Sequence, residues 1–399
     1  MHLRKLLFIF LIIVLLLIAF LVFRFKGALP AVLPPQERPK AMVVDNELGL
    51  KLPEGFNIEI FAENLKSPRV LTFDSLGTLL VSVPSEGKVV ALPDKNNDSK
   101  ADEIITLIQN LDRPHGLAIQ DSKLYVAQVS NVLAFDYDSQ NLKVTNQKSV
   151  VDLPPAGRHF TRTIRFGPDG KLYIAVGSTC DVCVEKDERN GTILQVDSQT
   201  GQSQIFAKGL RNSVFFTFDP QTAKIWATEM GRDFLGDNLP PDEINIIEEG
   251  KDYGWPFCYG RQVHDINFDK KVYVQIVPQP PCGQTEPPIY EIPAHSAPLG
   301  LVFITSSHFP DDWQDDLLVA YHGSWNRSTP SGYKIVRLKI NDEKVISHED
   351  FISGFLPASP TGEQGTQTIG RPVDLIFDKE GSLYISDDKA GVIYKLAKR

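Results

Sequence analysis

Long helical periodicity, a basic surplus, phosphate-cradling glycine loops and cysteine are all scarce or missing from this 399-residue chain. Past Lys51 the sequence runs in short alternating stretches of β type broken by Gly, Asp, Asn and Pro, so the body reads as all-β. The formal net charge of −9, with lysines scattered, argues against a nucleic-acid surface. No glycine-rich phosphate loop and no nucleophile elbow stands out. There are four cysteines: Cys180, Cys183, Cys258 and Cys282. Cys180-Asp-Val-Cys183 has zinc-ribbon spacing, but the second CxxC that would complete a structural zinc site is missing. An even number of cysteines reads as two disulfides outside the cytoplasm.

A long apolar run occurs once, over Leu6–Phe23, where 18 residues carry no charge, Gly or Pro. That length can span a bilayer, whereas a cleaved signal peptide has an apolar stretch of about 7–15 residues and a small-residue cleavage site. Residues 1–26 are therefore expected to form a transmembrane signal anchor. Arg4, Lys5, Arg24 and Lys26 flank both ends, so charge alone does not orient it. Residues 27–50, rich in proline, are expected to be an extended spacer.

From residue 51 to 399 one unit recurs. An apolar strand ends near Phe-Asp or Gly-Pro-Asp, a turn with Gly or Ser follows, then a strand of the form LY(V/I), then a further strand. Copies begin at Val70, Gly116, Ile164, Val214, Leu301 and Val373, which makes six. Sheet units that recur in this way, none able to bury both faces alone, predict a six-bladed β-propeller. A sandwich with accidental similarity between strands is the competing fold. The strand-like segment Phe56 to Phe61 precedes the first unit and is expected to pair with the last blade, closing the ring. An insertion over about 251–298, rich in Pro, Cys and aromatics, is expected to form a loop cap.

Polar residues that break the strand pattern gather beside the repeats: Arg113 with His115, Arg158-His159 with Arg162, Arg211-Asn212, His295, His322 with Trp325-Asn326-Arg327, and Arg371. Equivalent positions in a ring converge on one mouth, which would suit a polyanionic ligand and could supply an imidazole base. For any single histidine the plainer reading is a hydrogen-bonded residue lining a turn. Glu229 to Asp233, followed by Asp237, Asn238, Asp242, Glu243 and Tyr253, offers hard oxygen donors suited to Ca²⁺, or else a solvated acidic loop. Asp94, Asn96, Asp98 and Asp102 alternate as in a calcium loop, with Ser99 where glycine is expected, and would make a structural site.

The segments RHFTRTIRFGPDGKLYIAVGSTCDVC, GLRNSVFFTFDP, GRDFLGDNLPPDEINIIEEGKDYGWPFCYG, AHSAPLGL, AYHGSWNR and GRPVDL, in that order, resemble the sorbosone-dehydrogenase type of the quinoprotein glucose/sorbosone dehydrogenase family. The resemblance covers roughly Leu52 to Lys398 and implies a six-bladed propeller using pyrroloquinoline quinone (PQQ) and Ca²⁺. It implies that His159 is the general base, that Arg211 and Asn212 lie beside PQQ, and that Arg371 pairs with cofactor carboxylates. It implies that the carbonyls of Gly231 and Arg232 ligate a Ca²⁺ at the quinone, and that Glu243 and Tyr253 belong to a neighbouring structural calcium site. Arg158 stands where the soluble glucose-oxidising branch has an acid, and His115, His322 and Arg327 are further mouth candidates, the last two in place of a cofactor-binding lysine. The same likeness pairs Cys180 with Cys183 and Cys258 with Cys282, and places the body in the bacterial periplasm with the N-terminus inside.

The function expected on these grounds is oxidation of a sugar, an aldose or a sugar aldehyde such as sorbosone, with electrons passed to a membrane acceptor and no nucleic-acid partner. A non-catalytic propeller that binds a partner protein or glycan is the main alternative. A calcium-dependent lactonase-type hydrolase is a third, and would need carboxylates directed into the central channel.

Overall fold

The alternating stretches past Lys51 fold as antiparallel strands, because period-two burial leaves each strand with two faces to cover and the neighbouring sheets cover both. The computed structural model describes residues 42–44, 47–271, 281–357 and 368–399, with a few isolated positions before residue 16. The anchor over 1–26 and most of the 27–50 spacer lie outside the described residues, among which no helix is long and apolar enough to cross a membrane.

Six four-stranded sheets form the blades of a propeller. Blade 1 comprises Leu71–Phe73, Leu79–Val83, Lys88–Leu92 and Ile105–Ile108; blade 2 comprises Leu117–Gln120, Lys123–Ala127, Asn131–Asp138 and Lys143–Asp152. Blade 3 comprises Ile164–Phe166, Leu172–Val176, Thr192–Val196 and Ser203–Lys208; blade 4 comprises Phe216–Phe218, Ile225–Glu229, Asp242–Ile247 and Tyr290–Ile292. Blade 5 comprises Pro298–Phe303, Leu317–Tyr321, Lys334–Asn341 and Lys344–Ile352. Blade 6 takes Pro372–Phe377, Leu383–Asp387 and Val392–Lys398 from the end of the chain and its outermost strand, Phe56–Ala62, from the start, with Ile393 opposite Ala62 and Lys398 opposite Phe56. The expected ring closure is therefore present. The insertion departs from expectation, since Tyr290–Ile292 completes blade 4 and Cys258–Tyr259 pairs with Val263–His264 in a short ribbon.

The recurrent LY(V/I) strand has a packing reason. Its aromatic meets, edge to face, the phenylalanine that ends the first strand of the next blade. Tyr125 meets Phe166 at 4.9 Å between ring centroids, Tyr173 meets Phe218 at 5.4 Å, Trp226 meets Phe303 at 5.4 Å and Tyr384 meets Phe73 at 5.1 Å. Each such pair adds about 0.5–1.5 kcal/mol beyond area burial, so the motif fixes the angle between neighbouring blades. Nearer the axis, hydroxyls late in the second strands bridge blades: Thr228 donates to the Leu299 carbonyl and Ser386 to that of Arg69.

Candidate active site

In a four-stranded antiparallel blade the loop leading into the first strand and the loop leaving the second lie at the same end. The leading loops bring cations to that mouth: Arg69, Arg113 with His115, Arg158 with His159, Arg211, His295 and Arg371. The loops leaving the second strands bring acids: Asp181, Asp233 and Asp388. The basic mouth expected from the sequence is thus partly neutralised by carboxylates. Arg158 lies 2.7 Å from Asp233, Arg211 2.7 Å from Asp181, and Arg69 2.7 Å from Asp388.

Arg158, His159, Arg211, Asn212, Gly231, Asp233, Asp242, His295, Trp325 and Asn326 line one cavity of about 210 Å³, so blades 3, 4 and 5 jointly build it. His159 Nδ1 lies 3.0 Å from the Ser178 carbonyl and 2.9 Å from Ser178 Oγ, whose own hydrogen goes to the Cys180 carbonyl at 2.7 Å. Both groups facing Nδ1 therefore accept, so Nδ1 carries the proton and the lone pair sits on Nε2. Burial, reinforced by the charges of Arg211 and Arg158, pushes the imidazole down to about 3, so it is neutral near pH 7. Gly177 permits this approach, because a Cβ there would meet His159 Cβ at 2.7 Å and Asn212 Oδ1 at 2.8 Å.

Arg211 is buried and gripped from one side. Nε donates to the Asp181 carbonyl at 2.8 Å and Nη2 to Asp181 Oδ1 at 2.7 Å, while Nη1 reaches the Met230 carbonyl at 3.3 Å. Burial pushes the Asp181 carboxyl up, but the Asp233 amide and Arg211 outweigh it and hold the group below its ordinary value. Burial prevails at Asp233, which is raised. Asn212 Oδ1 and Asn326 Oδ1 are buried without a hydrogen-bond partner.

His115 lies apart from these residues, in a second cavity of about 320 Å³ shared with Arg69, Arg113, Phe160 and Asp388. Its Nε2 is buried and unpartnered, and burial pushes its pKa well down. His322 Nε2 sits 2.8 Å from Asp388. Arg371 donates Nε to the His322 carbonyl at 3.0 Å and Nη2 to that of Gly323. Arg327 is spent on main-chain carbonyls of Ala294, at 3.0 Å, and Asp237.

Gly231, Arg232, Glu229, Glu243 and Tyr253 line a small space of about 30 Å³ beside the first cavity. Asp242 accepts from the Gly231 amide at 2.9 Å and the Ala297 amide at 2.8 Å; Glu243 accepts from the Gly260 amide at 2.7 Å and Asn245 at 2.9 Å. Burial pushes Asp242 and Glu243 up to about 7 and Glu229 up to about 8. The Tyr253 hydroxyl donates to the Ile246 carbonyl at 2.6 Å. At 94–102 the oxygens serve the loop itself: Asp94 accepts from the Asp98 and Ser99 amides, Asn96 from Asp98, Asp98 from Lys100, and Asp102 from Lys95. Among the described residues the only His, Cys, Asp and Glu ligand atoms clustered for a metal belong to Cys180, Cys183 and Glu185, and both cysteines are in a disulfide. The bridges are Cys180–Cys183 and Cys258–Cys282, which excludes the zinc alternative.

Sequence reading passed over Arg69, Ser178, Asp181 and Asp388 and did not assign Asp233 to the mouth. The signal for the acids was their place just past each second strand.

The fold and site define a six-bladed propeller whose mouth holds a neutral histidine beside a buried arginine. The chain belongs to the TrAA12-like family, whose model matches residues 50–399. An uncharacterised protein of Borreliella burgdorferi is 34% identical over 87% of this chain and 90% of its own length. A pyrroloquinoline quinone-dependent pyranose dehydrogenase of Coprinopsis cinerea is 24% identical over 86% of this chain, which spans 54% of that protein's length. A calcium structure of a Trichoderma reesei carbohydrate-active enzyme of family AA12 superposes with a TM-score of 0.73 at 23% identity, covering 92% of this chain and all of that one.

Proposed function

We propose that this chain is a PQQ- and Ca²⁺-dependent dehydrogenase that oxidises a sugar, an aldose or a sugar aldehyde such as sorbosone. Its electrons would pass to a membrane acceptor, and the N-terminal anchor would hold the body outside the cytoplasm. The observation that carries the reading is His159, neutral with its lone pair on Nε2, in one cavity with Arg211 and Asn212. The names of the Coprinopsis and Trichoderma relatives support the cofactor, the substrate class and the metal.

PQQ, when bound, supplies an electrophilic quinone carbonyl that accepts hydride from the sugar carbon. His159 Nε2 takes the proton of the hydroxyl on that carbon. Arg211 would lend positive charge to the quinone oxygens of the bound cofactor. Asn212 and Asn326, which line the same cavity, would help to orient substrate or cofactor. Arg371, with His115, His322 and Arg327 around the same mouth, would complete the cofactor's surroundings.

The residues fit a cation as well. Glu229, Asp242 and Glu243 are buried with donors that are amides and hydroxyls; Asp242 lines the His159 cavity, and Gly231 borders both that cavity and the space that holds Glu229 and Glu243. A divalent ion held by main-chain carbonyls of that segment, with Glu243 and Tyr253 beside a second ion, would supply the missing positive charge.

Titration of the calcium-loaded full chain with PQQ, followed by absorbance and heat, tests the reading. Saturation near one equivalent is expected, and no binding would defeat it. Calcium removal is expected to lower Tm by about 4 °C, read by calorimetry with and without chelator, since a ligand at a hundred times its Kd contributes about 2.7 kcal/mol and a body of about 350 residues unfolds with an entropy of about 0.7 kcal/mol/K. An unchanged Tm at saturating chelator would remove calcium from the proposal.

A further inference from the structure

We infer that Asp181, presented by the Cys180–Cys183 disulfide loop, is a positioning residue that sets the orientation of Arg211 and couples it to His159. The inference rests on the dehydrogenase reading for its catalytic meaning, though its geometry stands without it. A four-residue loop closed by a bridge three positions apart has little freedom, and this one lies directly after the second strand of blade 3. Three of its groups face the site. The Asp181 carbonyl receives Arg211 Nε at 2.8 Å and Trp255 Nε1 at 3.4 Å. Asp181 Oδ1 receives Arg211 Nη2 at 2.7 Å and the Asp233 amide at 2.9 Å, which ties the loop to blade 4. The Cys180 carbonyl takes the Ser178 hydroxyl hydrogen, the arrangement that turns Ser178 Oγ into an acceptor for His159 Nδ1.

One short loop thus fixes the plane of the guanidinium and the tautomer of the base. The two-point grip on Nε and Nη2 leaves the Nη1 edge of Arg211 as the one turned away from Asp181, and that edge is held at Met230, a residue lining the cavity. An arginine without this grip would choose among rotamers, or swing onto Asp233, which already receives Arg158 at 2.7 Å. Asp233 lies 3.4 Å from Arg211, so Asp181 is the nearer and better-aligned partner.

Asp181→Ala and Asp181→Asn separate the grip from the charge. The asparagine keeps an acceptor oxygen for both Nη2 and the Asp233 amide, whereas alanine removes it. In arginine-labelled full-length apoprotein, with Arg211 assigned by Arg211→Lys, its Nη protons are expected to show slow rotation in wild type and Asp181→Asn, and averaging in Asp181→Ala. In calcium- and PQQ-loaded protein, Asp181→Ala is expected to lower kcat about a hundredfold with KM within about threefold, and Asp181→Asn to recover most of it. Cys180→Ser/Cys183→Ser, which opens the loop and leaves Asp181 in place, is expected to lower kcat too, and to be less than additive with Asp181→Ala. Unaveraged Arg211 signals in a folded Asp181→Ala protein would overturn the inference whether or not PQQ binds. Wild-type kcat in the folded double cysteine variant would do the same for the part played by the loop. Failure of wild type to bind PQQ would count against the dehydrogenase reading and leave the spectroscopic result to decide on Asp181.

Discussion

His159→Ala is expected to lower kcat about 10³-fold while leaving PQQ affinity within about threefold of wild type, because the variant loses a general base and keeps Arg211, Asn212 and Arg371. The pH dependence follows from the direction of the shift. Burial, then Arg211 and Arg158, depress the imidazole to about 3, so its lone pair is lost only in strong acid. The profile of kcat/KM from pH 5 to 8 is therefore expected to show no acid limb from this residue, and a limb near 6.5 that vanishes in His159→Ala would contradict the environment described. The same depression has a cost in stability. Between the unfolded value of 6.5 and the folded value of about 3 the unfolded chain binds a proton that the folded one refuses, so stability falls as pH drops through that window. His159→Ala removes this contribution, and its Tm should fall less steeply below pH 6.5 than that of wild type.

Much of the fold was legible because a propeller writes its grammar six times. Leu-Tyr pairs, the Phe-Asp or Gly-Pro-Asp that opens a turn, and the apolar strands around them recur for a local reason: an aromatic that must meet the next blade, a turn, a strand buried on both faces. The strand Phe56–Ala62 could be assigned to the last blade because an open edge had to be closed. Apart from Arg69, the cations of the leading loops were visible for the same cause, since each precedes the first strand of its unit. Their carboxylate partners were not. Asp233 is 75 positions from Arg158 and Asp388 is 319 from Arg69, and nothing local in the sequence records which exit loop meets which leading loop. Asp181 lay inside a motif read only for its cysteines. Tyr290–Ile292 was hidden differently: three residues beyond a long insertion carry too little pattern to declare a strand, and only the unpaired edge of Asp242–Ile247 makes one of them.

A chain beginning at Glu63 is expected to lose cooperative unfolding altogether. The missing segment carries the outermost strand of blade 6, whose Phe56, Ile58 and Phe61 are buried. Phe56 packs its ring 4.8 Å from Phe309 and 6.3 Å from both Trp313 and Phe351, so it also joins blade 6 to blade 5. Losing one such phenylalanine costs about 3–5 kcal/mol, and losing three large apolar side chains with a ladder of main-chain bonds exceeds the 5–15 kcal/mol by which a domain is typically stable. The Val392–Lys398 strand would then expose a free edge ready to pair with another copy. Calorimetry should show no sharp transition and gel filtration should show aggregates, whereas a chain beginning at Met42, which keeps every contact named above, should melt within about 2 °C of wild type. Phe56→Ala alone should unfold cooperatively with Tm about 4–7 °C lower. A monomeric chain beginning at Glu63 that melts within about 5 °C of wild type would mean that the ring holds without its closing strand, since a loss beyond about 5 kcal/mol should move Tm by more than about 7 °C in a domain of about 350 residues.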